Sequence, residues 1–259
     1  MKIAIVTGAS SGMGREFVDQ IGRFYHSLDE IWVIARRRER LEELTEVSPV
    51  PLRIFEGDLL KKEVYLELKE ALTEQTPNIR MLVNAAGFGK SGSVEDIYEE
   101  DKKSQLEMID LNCMALSRMT FYCLPYMTHG SRILNVASAA AFCPQPYFTV
   151  YAATKSYVLS FSRGLGEEVR ERGIFVTAVC PGPVNTEFFA TSGKIENVWK
   201  KLVMAEPEDV VAQALWDCRL KKSVSVYGLM MKGARIASKV IPHNLIVKIE
   251  AKGNHKGDE

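Results

Sequence analysis

The chain has no surplus of either charge. Lys and Arg number 33, Asp and Glu number 33, and the formal net charge of the 259 residues is zero. Proteins that grip nucleic acid through its backbone usually carry a clear basic excess, so general nucleic-acid binding is disfavoured. Long apolar runs are missing too. None approaches the ~18 residues that a membrane span needs. Met1-Lys2 leads straight into Ile3-Ala4-Ile5-Val6, which does not read as a secretory leader. Cysteine is sparse and unpatterned, with five residues at 113, 123, 143, 180 and 218 and no C-x-x-C. An odd, scattered set excludes a disulfide framework and suits thiols in a reducing compartment, so a cytoplasmic protein is expected. The four histidines are far apart, and no metal site is expected. Pro and Gly are spread thinly, so no linker divides the chain.

What is present is an alternation. Short β-branched runs fall at Ile3–Thr7, Ile31–Ala35, Leu52–Glu56, Met81–Asn84, Arg132–Val136, Phe175–Cys180 and Ser223–Tyr227, with stretches of helical length between them. Several runs are apolar on both faces, as strands of a parallel sheet covered on each side should be. The pattern predicts one α/β domain, a doubly wound, Rossmann-type parallel sheet of about seven strands. The domain is expected over 1–251, followed by a polar tail over 252–259. A helix is predicted over Lys103–Leu124 with two apolar stripes, Leu106, Ile109, Cys113, Leu116, Thr120 and Met108, Leu111, Ala115, Met119, Tyr122. One stripe can pack on the sheet, and the other needs a second partner.

Directly after the first strand comes Thr7-Gly8-Ala9-Ser10-Ser11-Gly12-Met13-Gly14, leading into a helix. Glycines let the backbone approach a ligand closely, and a helix N-terminus offers unpaired N–H groups to a pyrophosphate. Between the first strand and first helix of an α/β pattern, the dinucleotide reading outweighs an ordinary turn. Other motifs follow in order. Asp58 comes after the third strand and Asn84-Ala85-Ala86-Gly87 after the fourth. Asn112 lies in the long helix, Ser138 just past the fifth strand, and Tyr151-Ala152-Ala153-Thr154-Lys155 beyond it. Pro181-Gly182-Pro183-Val184-Asn185-Thr186 follows the sixth strand.

The G-x-x-x-G-x-G spacing, with these motifs at successive strand ends over residues 2 to 190, resembles the classical short-chain dehydrogenases/reductases. The resemblance implies a cofactor site at Gly8, Ser10, Ser11, Gly12, Met13, Gly14, Asp58, Asn84, Ala85, Gly87, Pro181, Gly182, Val184 and Thr186. It implies catalysis by Asn112, Ser138, Tyr151 and Lys155. Ser138 would bond the substrate oxygen, Lys155 the nicotinamide ribose, and Asn112 a water in a proton relay. It also implies a substrate lid over 185–205 and a homodimer, or a homotetramer, paired through the long helix and the helix after Tyr151.

The residues themselves refine this. Ala35-Arg36-Arg37-Arg38 follows the second strand, where NAD-using relatives typically carry an acid. Guanidinium groups suit a 2′-phosphate, so NADP(H) is favoured over NAD, with Arg36 as first candidate and Arg37 second. Ser11 stands where many NADP-using relatives have a basic residue. A free Tyr, with pKa about 10, is a poor base at neutral pH, and a fixed ammonium should lower that value. Tyr151 and Lys155 are four apart and share one helix face. The expected reaction is NADP(H)-dependent hydride transfer between nicotinamide and a ketone or secondary alcohol. The alternative is a non-catalytic NAD(P)-binding regulator, from which the intact tetrad discriminates. Phe142, Pro144, Pro146 and Phe148 precede Tyr151, and Phe188, Phe189, Trp199, Leu202 and Met204 follow Thr186, so an apolar substrate is expected, with Phe142 and Phe188 as its contacts. Finally, 229–251 reads as an amphipathic appendage broken by Pro242. A flap, a subunit contact and a membrane-surface anchor compete for it, membrane contact being the least favoured.

Overall fold

The computed structural model describes residues 1–188 and 204–254, apart from the side chains of 96, 98–101 and 252–254. Residues 189–203, within the expected lid over 185–205 and including Phe189, Trp199 and Leu202, and the tail residues 255–259 lie outside the described residues. Seven strands form one sheet: β1 Lys2–Thr7, β2 Glu30–Ala35, β3 Leu52–Glu56, β4 Asn78–Asn84, β5 Arg132–Val136, β6 Phe175–Val179 and β7 Val224–Ser225. Their order is β3-β2-β1-β4-β5-β6-β7 and every pairing is parallel. The winding therefore reverses between β1 and β4, and ligands of such sheets bind outside the strand ends at that crevice.

The two-faced burial expected of the strands is seen in β1. Ile3 and Ile5 join one core with Leu68, Leu72, Met119, Cys123 and Leu165. Ala4 and Val6 join the other with Phe17, Ile21, Leu41, Leu44, Val211 and Leu215. One face is thus covered by α3 (Glu63–Gln75), α5 (Leu116–Cys123) and α6 (Thr149–Glu168). The other is covered by α1 (Gly12–Phe24), α2 (Arg38–Val47) and α7 (Pro207–Arg219). Fully buried side chains as large as Trp32, Phe17 and Phe55 stabilise this arrangement by roughly 1.5–3 kcal/mol each.

The long helix departs from the expectation. It starts earlier, as α4 (Val94–Ile109), and a π-helical turn over Asp110–Ala115 separates it from α5. Most of the second stripe packs on the sheet, with Ala115 and Met119 buried and Leu111 and Tyr122 beside them, whereas Met108 packs against Tyr151 and Ala152. The first is split: Leu106 and Ile109 are exposed, whereas Leu116 and Thr120 are buried. Past the wider turn, Leu116 packs with Val158 of α6 and Thr120 accepts from Asn84 of β4. Beyond β7, the chain forms α8 (Leu229–Val240) and α9 (His243–Asn254), with Pro242 at the break.

Candidate active site

The glycine loop is shaped by steric need. Gly8 has φ +70°, and a Cβ there would lie 2.8 Å from the Ala86 nitrogen. A Cβ on Gly14 would run into the Gly8 carbonyl. The loop is drawn against the β4 end by Thr7, whose hydroxyl accepts from the backbone nitrogens of Ala85 (3.1 Å) and Ala86 (3.2 Å). Thr7 was not among the expected site residues, although it directly precedes the loop. The first turn of α1, which includes Met13, holds no acid, so its N–H groups face the crevice with no carboxylate competing for them. Thr186 sits over this loop, its side chain 3.3 Å from where a Gly12 Cβ would be.

Of the three arginines after β2, it is Arg37 that reaches the loop. Its guanidinium donates to the Ser10 hydroxyl at 3.3 and 3.4 Å. Arg36, the first candidate from sequence, is exposed. Arg37 also meets the Glu187 carboxylate at 2.9 Å, and Arg40 pairs with the other oxygen. Arg40 and Arg37 together hold the Glu187 carboxyl below its ordinary range. Glu187 was not foreseen.

Two of the expected cofactor residues also have partners within the fold. Asn84 is buried and its amide donates to Asn135 (2.9 Å) and Thr120 (3.2 Å). It is thus a side chain of the core network that ties β4 to β5, and the loop it introduces, Ala85 to Gly87, forms the crevice floor. Asp58 accepts from the Leu60 nitrogen at 2.9 Å and so shapes the turn after β3. Pro181 fixes the turn after β6, its carbonyl accepting from Ala139 at 2.7 Å. Val184 bridges to Ala205, and Gly182 lies under the Met231 side chain of α8.

Ser138, Tyr151 and Lys155 converge past the carboxyl end of β5. Ser138 caps a short 3-10 turn, Ala139–Phe142, accepting from Ala140 at 3.1 Å. Tyr151 and Lys155 point from α6 into the fold, with the Lys155 ammonium 5.6 Å from the Tyr151 ring centre. Lys155 donates to the Val136 carbonyl at 2.9 Å. Burial pushes the Tyr151 phenol up to about 12, opposed by its hydrogen bond with Ser138. Burial also pulls the Lys155 ammonium down to about 8. Desolvation outweighs the lowering expected from Lys155, and the resting phenol holds its proton.

Asn112 lies in the π turn. Its amide accepts from the Phe88 nitrogen (3.1 Å) and donates to the Phe88 carbonyl (2.9 Å) and the Thr154 hydroxyl (3.0 Å). Oδ1 accepts one of these bonds and also faces Gly87. A Cβ on Gly87 would sit 2.7 Å from that oxygen and 3.5 Å from the Lys155 nitrogen, so Asn112 and Lys155 flank the same small space.

Aromatic rings enclose the phenol. Phe148 stacks on Tyr151 at 4.2 Å and Phe188 lies tilted at 5.5 Å. Gly89 completes the wall, since a Cβ there would strike all three rings. Phe142, expected at the substrate, packs instead with Val158 and Val224, because the 3-10 turn after Ser138 carries it to the far side. Phe148 is the ring that lies beside the phenol. All five cysteines are unpaired, and burial raises each thiol above its ordinary range.

Comparison with known proteins agrees with this geometry. The model of the short chain dehydrogenase family matches residues 2–197. The NADP-dependent 3-hydroxy acid dehydrogenase YdfG of Shigella flexneri is 32% identical over 238 residues, covering 88% of this chain and 94% of its own. A short-chain dehydrogenase from Sphingobium yanoikuyae, solved in complex with NADPH, superposes with TM-score 0.76 at 25% identity, covering 93% of this chain and 96% of its own. An alcohol dehydrogenase from Comamonas testosteroni, described as specific for bulky-bulky ketones, gives TM-score 0.73 at 25% identity and covers 92% of each chain.

Proposed function

This chain is an oxidoreductase of the short-chain dehydrogenase family, and from that premise we propose that it uses NADP(H) to interconvert a ketone and a secondary alcohol, with Tyr151 as the proton donor. The observation that carries the reading is the buried Tyr151–Lys155 pair beside Ser138, with the phenol protonated at neutral pH. A bound nicotinamide supplies the hydride. Addition to the carbonyl carbon leaves an alkoxide, whose oxygen takes the Tyr151 proton. The Ser138 hydroxyl orients that oxygen, and the Lys155 ammonium stabilises the phenolate left behind. The reverse order of proton movement serves oxidation.

Arg37, held on the Ser10 hydroxyl, supports NADP over NAD. A guanidinium forks onto phosphate oxygens, and Ala35 offers no carboxylate to repel them. The relative from Shigella flexneri is named NADP-dependent, in agreement. Phe148, Phe188 and Gly89 around the phenol support a substrate that is apolar beside its carbonyl. Lys90, next to Gly89 in the chain, already has an interaction partner. The five unpaired thiols suit the cytoplasm. The exposed side chains of Leu106, Ile109, Met114 and Phe121 suit a second copy of the chain.

The test is NADPH oxidation with matched ketones, one carrying an aryl group and one a carboxylate in the same place. The aryl compound should give the higher kcat/KM. Tyr151→Phe should lower kcat roughly 10³-fold, within the range of general acid catalysis, and leave the NADPH affinity unchanged. A Phe variant that kept most of its turnover, or a preference for the carboxylate compound, would reject the corresponding part of the proposal.

A further inference from the structure

The two C-terminal helices face the wrong way for a packed appendage. In α8, Met231 reaches Gly182, and Arg235 and Ser238 line a cleft against the domain. The large apolar side chains point out. Leu229 is 85% exposed, Met230 62%, Ile236 66% and Val240 77%, and in α9 Leu245 is 51% and Ile249 63% exposed. Leu229, Ile236 and Val240 lie at helical spacing, so they form one stripe along α8. The usual order of an amphipathic surface helix is inverted.

The surroundings of this stripe are cationic. The segment 229–254 carries Lys232, Arg235, Lys239, Lys248 and Lys252 against a single acid, Glu250, in a chain of zero net charge. Beside the stripe, a cleft of about 340 Å³ opens between α6 and α8. Its lining includes Arg163, Arg235, Lys239 and His243 and no carboxylate, with Phe142 and Leu159 as its apolar part. Among the described residues, no ion pair engages Arg163, Arg235 or Lys239.

We propose that α8 and α9 bind the surface of a membrane rich in anionic phospholipid, with the apolar stripe at the acyl boundary and the headgroup phosphate in the cationic cleft. An interfacial helix pair has this composition, apolar on one face and Lys/Arg-rich at its flanks. Each helix has 12 residues, and no described helix is long and apolar enough to cross a bilayer, so the pair lies on the membrane. A second copy of the chain fits this face less well. Across a two-fold axis, one cationic rim would meet the same cationic rim. Although α8 meets the domain at Gly182 and at the 3-10 turn after Ser138, its apolar stripe points to solvent, and the inference does not depend on the reaction proposed above.

The experiment is flotation of the full chain with phosphatidylcholine vesicles, with and without phosphatidylglycerol. The protein should float only with the anionic vesicles and be released by high salt. Ile236→Glu with Val240→Glu, and separately Arg235→Gln with Lys239→Gln, should each weaken partitioning roughly tenfold or more. Ile236, Lys239 and Val240 are exposed and Arg235 is half-buried at the cleft, and both double variants should keep the wild-type melting curve by circular dichroism, which separates loss of binding from loss of fold. Failure of the wild type to float, or unchanged flotation of the Glu pair, overturns the proposal. So does a Glu pair that turns a dimer into a monomer without affecting flotation, which would assign the stripe to a second copy. Calorimetry with inorganic phosphate separates the sources of the anion. Binding of free phosphate that the Gln pair abolishes, without recruitment to vesicles, would assign the cleft to a soluble ligand and reject the lipid.

Discussion

Burying Lys155 beside Tyr151 opposes folding, and the size of that opposition follows from its pKa. The ammonium titrates at about 8 in the folded chain against 10.5 for an ordinary lysine. Each unit is worth about 1.4 kcal/mol, so the charged lysine destabilises the fold by roughly 3 kcal/mol. That penalty is present in full below pH 8 and fades as the pH rises toward the unfolded value. Lys155→Met should therefore be more stable than the wild type at pH 7, with the difference shrinking above pH 8. Urea unfolding at a series of pH values would measure it, and a difference that grew with pH would contradict the assignment. A second residue-scale contest lies at Arg37. Glu187 occupies the guanidinium groups of Arg37 and Arg40 from the segment that also carries Thr186. A 2′-phosphate would have to compete with this carboxylate. Glu187→Gln should tighten NADPH binding a few-fold and leave NADH unchanged, whereas Arg37→Ala should weaken NADPH alone. Fluorescence titration of both cofactors reads both effects. The pairs are largely exposed, so the effect of Glu187→Gln should be modest.

At the scale of elements, strand positions were legible because both faces of the sheet are covered and central strands such as β1 and β2 are short apolar runs. The glycine loop was legible because steric crowding at Gly8 and Gly14 admits no other residue. The π turn was not. It arises from one extra residue per turn, which no spacing of apolar residues announces, and it splits a stripe that reads as continuous at helical spacing. Both Arg36 and Arg37 were legible as candidates, but their order in the chain does not reveal that Arg37 is the one that bonds Ser10. Periodicity is also blind to sign: it shows that α8 has an apolar face but not that the face points to solvent. Asn112 illustrates what the π turn does. π turns inside helices are frequent at functional sites, and here the turn holds an amide that bonds both backbone groups of Phe88. Asn112→Ala leaves those groups without their partner, which should cost about 2–3 kcal/mol of stability. Denaturant unfolding measures it. Loss of turnover with unchanged stability would instead place the residue's importance in proton relay alone.

For the whole molecule, two exposed apolar surfaces need different partners. The C-terminal one is ringed by cations. The other is formed by α4, α5 and α6, where Leu106 is 61% exposed, Met114 55%, Phe121 61% and Tyr157 43%. Its aromatic part is already ordered, with Phe121 edge-on to Phe161 at 6.3 Å and Tyr157 stacked on Phe161 at 5.9 Å. Tyr157 is fixed further by its hydroxyl, 2.8 Å from that of Ser117. On α6, Gly164 has no atom within 4 Å of a would-be Cβ, so a second helix can approach the backbone there. An ordered aromatic patch beside a backbone groove is what a two-fold interface needs, because the same patch must complement itself. A stable pair requires about 1,200–2,000 Å² in total, which helices of this length can supply together. Light scattering at micromolar concentration should give the mass of a dimer. Phe121→Asp would place two carboxylates near the axis and should shift the protein to monomer, with its circular dichroism spectrum unchanged because Phe121 is mostly exposed. If the wild type is a monomer, no interface forms on this face. If Phe121→Asp stays dimeric with undiminished affinity, the contact lies elsewhere, and the C-terminal face becomes the next surface to test.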